Sequence, residues 1–378
     1  MSTIKKKYKV MQQIAFNGGY GGVSKAFNRL MSSDAMKQFD VSILEQREAV
    51  RGISFKVIRR YVKEIKHEKP DLIHIRGVLP DGLMALIAAH IAHVPHICMS
   101  VHGLYSDEIQ INRFKKVVSA FVLEPLSFLL ADSVYTVYEG GTKRKKFRLF
   151  TKKIWGYIYN PIPEWDYYTE KQDACGSIRD KYCIKENEIV LLCVSRVTYE
   201  KGFSFVLEAI KLLKDNWPDD FRIMIVGDGD YSDILKAELC GLIKEGSVIL
   251  VPATTSVKDF YYLADAFFTA SLHENHSNAI LEACAAHLPI IATDVGGNCE
   301  SVENNFGGWI INPFSAKELA DAIKVVGTSR KFDLKVKGKN AYQFAKMKFD
   351  RKKTYEKIAL FYLDQLESRN SKYKDEDR

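Results

Sequence analysis

Two glutamates with seven residues between them lie around the predicted start of a helix. Glu274 falls in the loop Ser271–Ser277, and Glu282 falls in the first turns of a helix predicted from Asn278 onward. We expect Ser277 to cap that helix, because its side-chain oxygen can accept hydrogen bonds from free amides. A diphosphate could then lie on the helix N-terminus while the two carboxylates bind hydroxyl groups on either side. A helix-dipole role alone would explain Glu282, whereas Glu274 precedes the cap and has no such structural explanation.

Two cations follow a predicted strand in the same half of the chain. Arg196 and Lys201 lie in the loop between the strand Ile189–Ser195 and the next helix. Two cations in such a loop can clamp a diphosphate. The alternative is that both are ordinary solvated surface charges.

The first half of the chain contributes a glycine-rich loop and a histidine. Residues 17–24 (NGGYGGVS) follow the first predicted strand and open a helix, so amides beside Gly21 and Gly22 could approach an anion. The loop lacks both the GxGxxG and the GK[ST] patterns, and its glycines could simply make a tight turn. His102 lies just past the strand His96–Val101, where a structural hydrogen bond is the alternative to a catalytic role.

These candidate residues need a scaffold that brings strand ends together. Short apolar runs alternate with helical patterns in both halves of the chain, which predicts parallel sheets covered by helices on both faces. Ligands bind at the carboxyl ends of the strands in such folds. The predicted strands are Tyr8–Ile14, Asp71–Ile75, His96–Val101, Ser133–Val137, Ile189–Ser195, Phe221–Val226, Val248–Val251, Ala266–Thr269 and Ile290–Thr293.

A pair of prolines in residues 159–163 (YNPIP) marks the predicted domain boundary, because prolines two apart cannot lie inside a helix or a central strand. We therefore expect one domain over residues 1–161, a second over residues 162–348, and a C-terminal helix and tail over residues 349–378.

The composition is that of a folded protein with unevenly placed charge. The chain has 378 residues, of which 47% are hydrophobic and 27% charged, and this excludes disordered and fibrous proteins. Residues 1–165 carry 26 Lys and Arg against 14 Asp and Glu, so we expect this half to meet an anionic partner. The seven cysteines form no CxxC pair, which is typical of a reduced cytoplasmic protein. No apolar stretch precedes the first strand, so we expect no signal peptide.

Residues 82–106 contain no Asp, Glu, Lys or Arg, and 25 such residues are long enough to cross a bilayer. Pro95 and four histidines argue against a span. We expect a buried helix over residues 80–93 followed by a buried strand over residues 95–101.

Two segments of the first half combine apolar and basic residues. Arg113–Asp132 joins RFKK to an apolar run, and Lys143–Lys153 holds seven basic residues and no acid. Together they could rest on anionic lipid. A core helix beside a solvated basic loop is the alternative.

The ordered set of motifs resembles the retaining nucleotide-sugar glycosyltransferases of glycosyltransferase family 4. That family has the GT-B fold, an α/β fold of two Rossmann-like domains with parallel sheets facing a central cleft. The resemblance covers nearly the whole chain, and the order of the motifs makes it specific although each motif alone is weak. The matching features are Gly21-Gly22, His102-Gly103, Asn160–Ile162, Ser195-Arg196, Glu200–Gly202, Val226–Asp230, the Glu274 and Glu282 pair, and Ala292–Glu300.

The resemblance implies a role for each matching residue. Arg196 and Lys201 would bind the donor diphosphate and stabilise the leaving nucleoside diphosphate, and Glu282 would hold the ribose hydroxyls. Glu274 would contact the transferred sugar, with His102 beside that sugar from the other domain. The implied catalytic residues are Glu274, His102, Arg196 and Lys201. The other implied donor-binding positions are Gly21, Gly22, Asn275, His276, Ser277, Asn278, Gly296 and Gly297.

Some positions depart from the family's pattern. His287 stands where the family usually has Gly, at a predicted helix C-terminus where the left-handed conformation favours Gly. Asn275-His276 replaces a Gly-aromatic pair, which leaves the transferred sugar open. Asp228-Gly229-Asp230 is formally the triplet that binds a divalent metal in the other major glycosyltransferase fold. It belongs here to a VGDG turn, so we expect neither a metal nor a cofactor.

We therefore expect a retaining, metal-independent enzyme that moves a sugar from a UDP- or GDP-sugar to a lipid-linked oligosaccharide or polysaccharide acceptor. Its role would be cell-surface glycan synthesis, such as lipopolysaccharide O-antigen, capsule or exopolysaccharide. Residues 1–161 would be the membrane-facing acceptor domain, residues 162–348 the donor domain, and residues 349–378 would pack back on the first domain. The enzyme would be cytoplasmic and peripheral on the inner membrane, with no nucleic-acid partner because no recognition motif is present. The alternative is a catalytically silent nucleotide-sugar binding or regulatory protein of the same fold.

Overall fold

The computed structural model describes residues 7–14, 22–47, 50, 52–78, 80–168 and 177–376. The chain forms two compact units, one from residues 1–159 and 352–378 and the other from residues 160–351. They are called unit 1 and unit 2 below. Each unit contains a parallel sheet, as predicted.

The sheet of unit 1 has the strand order β2-β1-β3-β4-β5-β6 in the described part of the chain. Its strands are β1 (Lys9–Ile14), β2 (Asp40–Glu45), β3 (Leu72–Arg76), β4 (His96–Val101), β5 (Ser133–Thr136) and β6 (Ile154–Tyr157). The α-helices among them are α1 (Gly22–Met31), α2 (Phe55–Glu68), α3 (Asp81–Ile91), α4 (Arg113–Val118), α5 (Glu124–Leu130) and α6 (Glu139–Thr142). A π-helical turn covers Ser119–Leu123, and 3-10 turns cover Asp34–Met36, Tyr105–Asp107 and Lys145–Lys153.

The sheet of unit 2 has the order β12-β11-β10-β7-β8-β9. Its strands are β7 (Ile189–Val194), β8 (Phe221–Val226), β9 (Val248–Val251), β10 (Ala266–Thr269), β11 (Ile290–Thr293) and β12 (Gly308–Ile311). Its labelled helices are α7 (Phe203–Leu213), α8 (Ser232–Glu238), α9 (Cys240–Lys244), α10 (Val257–Leu263), α11 (Asn278–Ala285), α12 (Asn298–Ser301), α13 (Ala316–Gly327) and α14 (Lys331–Lys348). Residues 177–181 are also helical, and 3-10 turns cover Tyr199–Lys201 and Lys214–Asn216.

The long uncharged segment folds as predicted, into α3 and the fully buried strand β4. A turn of the chain at His93, with φ +55°, separates the two elements. In the part of the chain that the structure describes, no helix combines the length and the apolar character that crossing a membrane requires.

The C-terminal helix α15 (Arg351–Glu376) occupies most of the segment in which the sequence indicated a helix and a tail. Its apolar side packs into the core of unit 1, where Phe361 and Tyr362 join a buried cluster with Val10 and Leu72 of the sheet. Unit 1 is thus completed by the end of the chain.

Candidate active site

In unit 2 the strand order reverses between β7 and β10, and predicted site residues follow both strands. Lys201 lies in the loop after β7, and Glu274 lies in the loop after β10. Because β7 and β10 pair in parallel, with Leu191 opposite Ala266, both loops leave the sheet at the same edge. In open α/β sheets, ligands bind at this edge, at the reversal of strand order.

Two glycines let the loops at this edge approach closely. Gly202 has φ +77°, and a Cβ there would stand 1.8 Å from the carbonyl oxygen of Ala270. Gly296 has φ +52°, and a Cβ there would stand 1.9 Å from the carbonyl oxygen of Glu274. A side chain fits neither the conformation nor the space. The backbone therefore fixes the position of Glu274 on two sides.

Lys201 and Glu274 form an ion pair between Nζ and Oε1, with side chains only 18% and 17% exposed. Ser271 Oγ donates to the same carboxylate oxygen at 3.1 Å, and it lies 3.2 Å from the hydroxyl of Thr269. The cation expected at the diphosphate and the acid expected at the sugar are direct neighbours.

Arg196 shares the loop of Lys201 but lies mostly in solvent, with its side chain 70% exposed. It makes an ion pair of 3.7 Å with Glu200, which is worth little at such exposure. Glu200 is fixed separately, because its carbonyl accepts the amide of Leu272 at 2.9 Å. Arg196 can therefore turn toward a ligand at small cost.

The start of α11 confirms one part of the expectation for Ser277 and corrects the other. Ser277 is the N-cap residue, with extended backbone at φ −72° and ψ 116°, but its side chain makes no capping hydrogen bond. Asn278, the first helical residue, is exposed. Nearby, the carbonyl of Asn275 accepts the amide of Gly297 at 2.7 Å. The Ser277 hydroxyl thus does not compete with a ligand for the first amides of α11.

Glu282 lies half-buried on α11 beside a tyrosine that the sequence did not single out. Burial, followed by the Glu282 carboxylate, raises the pKa of Tyr261 well above its ordinary value. The fully buried Tyr261 therefore stays protonated beside Glu282, and its hydroxyl lies 3.4 Å from the Ala279 carbonyl oxygen in the same helix. Its position in α10 gave no signal in the sequence beyond an aromatic residue on an apolar face.

The side chain of His276 makes a contact that the sequence did not indicate. Its Nδ1 accepts the amide of Asn160 at 3.2 Å, and its carbonyl oxygen accepts the Asn160 side-chain amide at 3.1 Å. Its ring packs edge-on against Phe349 at 4.9 Å. The ring of His276 thus anchors Asn160, the first residue of unit 2. A contact of His276 with the donor substrate would therefore involve its backbone.

His287 adopts the left-handed conformation expected at its position, with φ +57°. Its ring stacks between Tyr167 at 4.3 Å and Tyr342 at 4.0 Å. Such ring contacts offset the strain that a non-glycine residue meets in this conformation.

In unit 1, His102 follows β4 and is exposed at the carboxyl edge of the sheet. Its Nε2 lies 3.1 Å from Ser100 Oγ. Partial loss of water around the ring, followed by the charge of Arg76, lowers the pKa of His102. A neutral imidazole can exchange hydrogen bonds with a sugar hydroxyl. Gly21 lies outside the described residues, and Gly22 is the first residue of α1.

A buried polar network below this edge was not predicted. Arg76 donates to Gln12 Oε1 at 2.8 Å, and Gln12 Nε2 donates to the Tyr362 hydroxyl at 3.0 Å. That hydroxyl lies 2.6 Å from His74 Nδ1 and 3.4 Å from Gln12 Oε1. The network connects the sheet edge to α15. Its members lie far apart in sequence, so no local pattern indicates it.

The DxD triplet serves the fold. Asp228 Oδ2 accepts the amide of Ala253 at 2.8 Å, which closes the turn after β8. Among the described residues, no group of three His, Cys, Asp or Glu side chains is placed to hold a metal ion.

A surface of unit 1 exposes apolar and basic side chains together, and it is called the basic–apolar face below. Phe114, Phe121 and Leu149 are 76%, 78% and 90% exposed, which excludes the alternative of a core helix at these positions. The two segments meet in the core beneath this face, where Phe128 of α5 packs on Phe147 at 5.0 Å. The exposed basic members of the face are Arg113, Lys115, Lys116, Lys143, Lys145, Lys146, Arg148 and Lys152.

Two family models match the chain in separate regions. The model described as glycosyl transferases group 1 matches residues 176–344, in unit 2. The model described as glycosyl transferase 4-like matches residues 30–133, in unit 1. Each unit of the chain therefore contains a region that matches a glycosyl transferase family model. The resemblance drawn from the ordered motifs is thereby confirmed.

Several glycosyl transferases are similar to this chain in sequence. A glycosyltransferase of Bacillus subtilis (strain 168) named for teichuronic acid biosynthesis is 27% identical over 264 residues, covering 67% of this chain and 60% of that one. The alpha-monoglucosyldiacylglycerol synthase of Acholeplasma laidlawii is 25% identical, covering 65% and 64%. An Escherichia coli enzyme, UDP-Gal:alpha-D-GlcNAc-diphosphoundecaprenol alpha-1,3-galactosyltransferase, is 25% identical, covering 80% and 78%. The match therefore spans less than two thirds of the first two relatives.

Solved structures show that this chain has the GT-B fold. The crystal structure of Anabaena HepE in complex with UDP and glucose has a TM-score of 0.75 at 18% identity, covering 94% of this chain and 99% of that one. Sucrose-phosphate synthase from Thermosynechococcus elongatus has a TM-score of 0.71 at 15% identity, covering 96% and 100%. The predicted fold is confirmed.

Proposed function

We propose that the protein transfers a sugar from a UDP- or GDP-sugar to a lipid-linked oligosaccharide or polysaccharide acceptor in cell-surface glycan synthesis. The observation that carries this proposal is the Lys201–Glu274 pair, held at the reversal of strand order in unit 2 beside the start of α11. The acceptor class is supported by relatives whose names give teichuronic acid, capsular polysaccharide and a diphosphoundecaprenol acceptor.

The proposed mechanism breaks the bond between the anomeric carbon and the diphosphate oxygen. The sugar becomes oxocarbenium-like while the nucleoside diphosphate gains negative charge, which Lys201, Arg196 and the first amides of α11 would stabilise. Glu274 would accept a hydrogen bond from a hydroxyl of the sugar, and Glu282 from the ribose.

The acceptor hydroxyl would attack from the same face that the diphosphate leaves. Its oxygen forms the new bond to the anomeric carbon, and its proton passes to the departing diphosphate oxygen. The anomeric configuration is then retained without a protein nucleophile or a metal ion. An inverted linkage in the product, determined by NMR, would contradict this step.

The substitution Glu274→Gln tests the proposal. A thermal-shift screen of UDP- and GDP-sugars first identifies the donor, because a ligand at 100 times its Kd stabilises the fold by about 2.7 kcal/mol. We then expect Glu274→Gln to lower kcat by roughly 10²- to 10³-fold. Glu238→Gln is the matched control, because Glu238 forms an exposed ion pair with Lys211 away from the site.

Two outcomes would contradict the proposal. If Glu274→Gln transferred sugar at the wild-type rate, the carboxylate would have no role in turnover. If the wild-type protein bound a nucleotide sugar but neither transferred nor hydrolysed it, the protein would be a silent binder.

We further propose that the basic–apolar face rests on an anionic membrane, on the cytoplasmic side of the inner membrane. Exposed phenylalanines can enter the headgroup region, and each basic residue near anionic lipid adds about 1 kcal/mol. We expect Lys145→Glu with Arg148→Glu to abolish flotation with phosphatidylglycerol vesicles, and Lys236→Glu with Lys317→Glu in unit 2 to leave it intact. Equal flotation of both double variants would refute the contact.

A further inference from the structure

We propose that Arg76 and Gln13 form a phosphate-binding site at the carboxyl edge of the sheet of unit 1. The phosphate would belong to one of the two substrates, and to that extent the inference rests on the proposed function. Gln13 lies in β1 and Arg76 ends β3, and these strands pair in parallel where the strand order of unit 1 reverses. The place corresponds to that of Lys201 and Glu274 in unit 2, and ligands bind at such reversals.

Arg76 is a half-buried cation. Within the described residues, the groups that its guanidinium contacts through hydrogen bonds or a ring are all neutral. Its guanidinium donates to the Gln13 carbonyl oxygen at 3.1 Å and to Gln12 Oε1 at 2.8 Å, and it lies 5.0 Å from the ring centre of Phe27. No Asp or Glu pairs with it within the described ranges, and residues 15–21, which follow β1, contain neither type. Half-buried charges usually have a counterion, so a ligand anion is the group that this site lacks.

Gln13 supplies a second donor beside this charge. Its side chain is fully buried, and its Oε1 accepts the amide of Arg76 at 3.1 Å. Its Nε2 has no hydrogen-bond partner in the described structure. A buried amide group without an acceptor is costly, and a phosphate oxygen would satisfy it. A sugar hydroxyl could accept this hydrogen bond but would leave the guanidinium charge unbalanced.

The guanidinium is fixed in place, which favours binding. Its contact with Gln12 continues through Tyr362 to His74, so the acceptor of Arg76 is itself held by hydrogen bonds. Burial and the charge of Arg76 both lower the pKa of His74, so this ring stays neutral and adds no charge. The site therefore presents one positive charge in a fixed direction, which suits a phosphate group.

Calorimetry with the full chain tests the site through two probes, UDP and inorganic pyrophosphate. Arg76→Gln removes the charge, Arg76→Lys keeps it as a point charge, and Arg59→Gln on the exposed side of α2 is the control. Each is also made in an Arg196→Gln, Lys201→Gln background, which removes the cations proposed for the donor diphosphate. Thermal unfolding checks whether each variant is folded. If Arg76→Gln does not fold, Arg76→Lys still tests the site.

We expect Arg76→Gln to weaken binding of one probe by roughly 10- to 100-fold, Arg76→Lys to weaken it less, and Arg59→Gln to leave it unchanged. Weaker UDP binding by the otherwise wild-type chain would assign the site to the donor phosphate. Unchanged UDP binding with weaker pyrophosphate binding in the double background would assign it to a phosphate of the acceptor.

The inference is overturned if Arg76→Gln changes neither UDP binding nor pyrophosphate binding, or if the double background binds no pyrophosphate and UDP binding is unaffected. Failure of the proposed function would look different. In that case the binding of both UDP and GDP would be insensitive to Arg196→Gln with Lys201→Gln, whatever the effect of Arg76→Gln.

Discussion

Replacing Gly296 by alanine should displace the loop that carries Glu274. The new Cβ would stand 1.9 Å from the Glu274 carbonyl oxygen, and real Cβ atoms essentially never lie closer than 3.0 Å to such an atom. The two groups must therefore separate by about 1.1 Å. A displacement of about 1 Å at a positioned group can cost roughly 10²-fold in rate. The left-handed backbone adds about 1–2 kcal/mol of strain to the folded state.

Two other glycines separate these effects. Gly52 also has positive φ, +83°, but its Cβ would meet nothing within 4 Å, so Gly52→Ala carries the strain without the collision. Gly241 lies in α9 with open space around it, and Gly241→Ala should stabilise the fold by about 0.5–1 kcal/mol. Urea unfolding measures the stability of all three variants.

Calorimetry with UDP and GDP and the rate of donor turnover measure the site. We expect Gly296→Ala alone to weaken donor binding and to lower kcat by about 10²-fold. If Gly296→Ala bound and turned over the donor as well as Gly52→Ala does, the close approach of the two loops would not position Glu274.

Three further predictions concern stability. Tyr362→Phe removes the hydroxyl that His74 and Gln12 share and leaves two buried polar groups without it, so urea unfolding should show a loss of about 2–4 kcal/mol. The pKa of His74 is lowered in the folded state, so the unfolded chain binds more protons below pH 6.5 and stability should fall with falling pH there. His74→Gln should reduce that dependence by up to about 1.4 kcal/mol per pH unit, in unfolding measured from pH 7.5 to 5. Glu188→Gln breaks a buried ion pair of 2.8 Å with Arg222 and should cost about 3 kcal/mol in the same assay, and an unchanged midpoint would contradict the pair's importance.

The sequence was most informative where burial is complete on both faces of a sheet. β4, β8, β10 and β11 are mainly apolar and almost entirely buried, and their predicted bounds match the structure. The strands that were missed, β2, β6 and β12, are three of the four edge strands, whereas the mostly buried edge strand β9 was predicted with its observed bounds. Each missed strand is only partly buried, so its residues follow neither a continuous apolar run nor a strict alternation.

The site could be predicted as a set of residues but not as an arrangement. The types and spacing of Lys201 and Glu274 marked both, yet their direct contact depends on two loops brought together by Gly202 and Gly296 from distant segments. Arg76 was missed because one arginine after a strand is not distinctive in sequence. The proposal of a phosphate site at Arg76 depends on the structure, because it rests on the absence of an acidic partner among the described residues.

The positive charge in the first half of the chain includes two separate groups, the basic–apolar face and Arg76. Anion binding at these two groups should respond differently to salt. The basic–apolar face carries exposed side chains, whose attraction to anionic lipid is screened over a Debye length of about 10 Å at 0.1 M salt. Arg76 is half-buried and fixed by hydrogen bonds, so its attraction for a phosphate is screened much less. Membrane contact through the face should therefore be lost at salt concentrations at which phosphate binding at Arg76 persists. If one anionic surface bound both the basic–apolar face and Arg76, lipid binding and phosphate binding would weaken over the same range of salt. That result would show that the face and Arg76 are not separate binding sites.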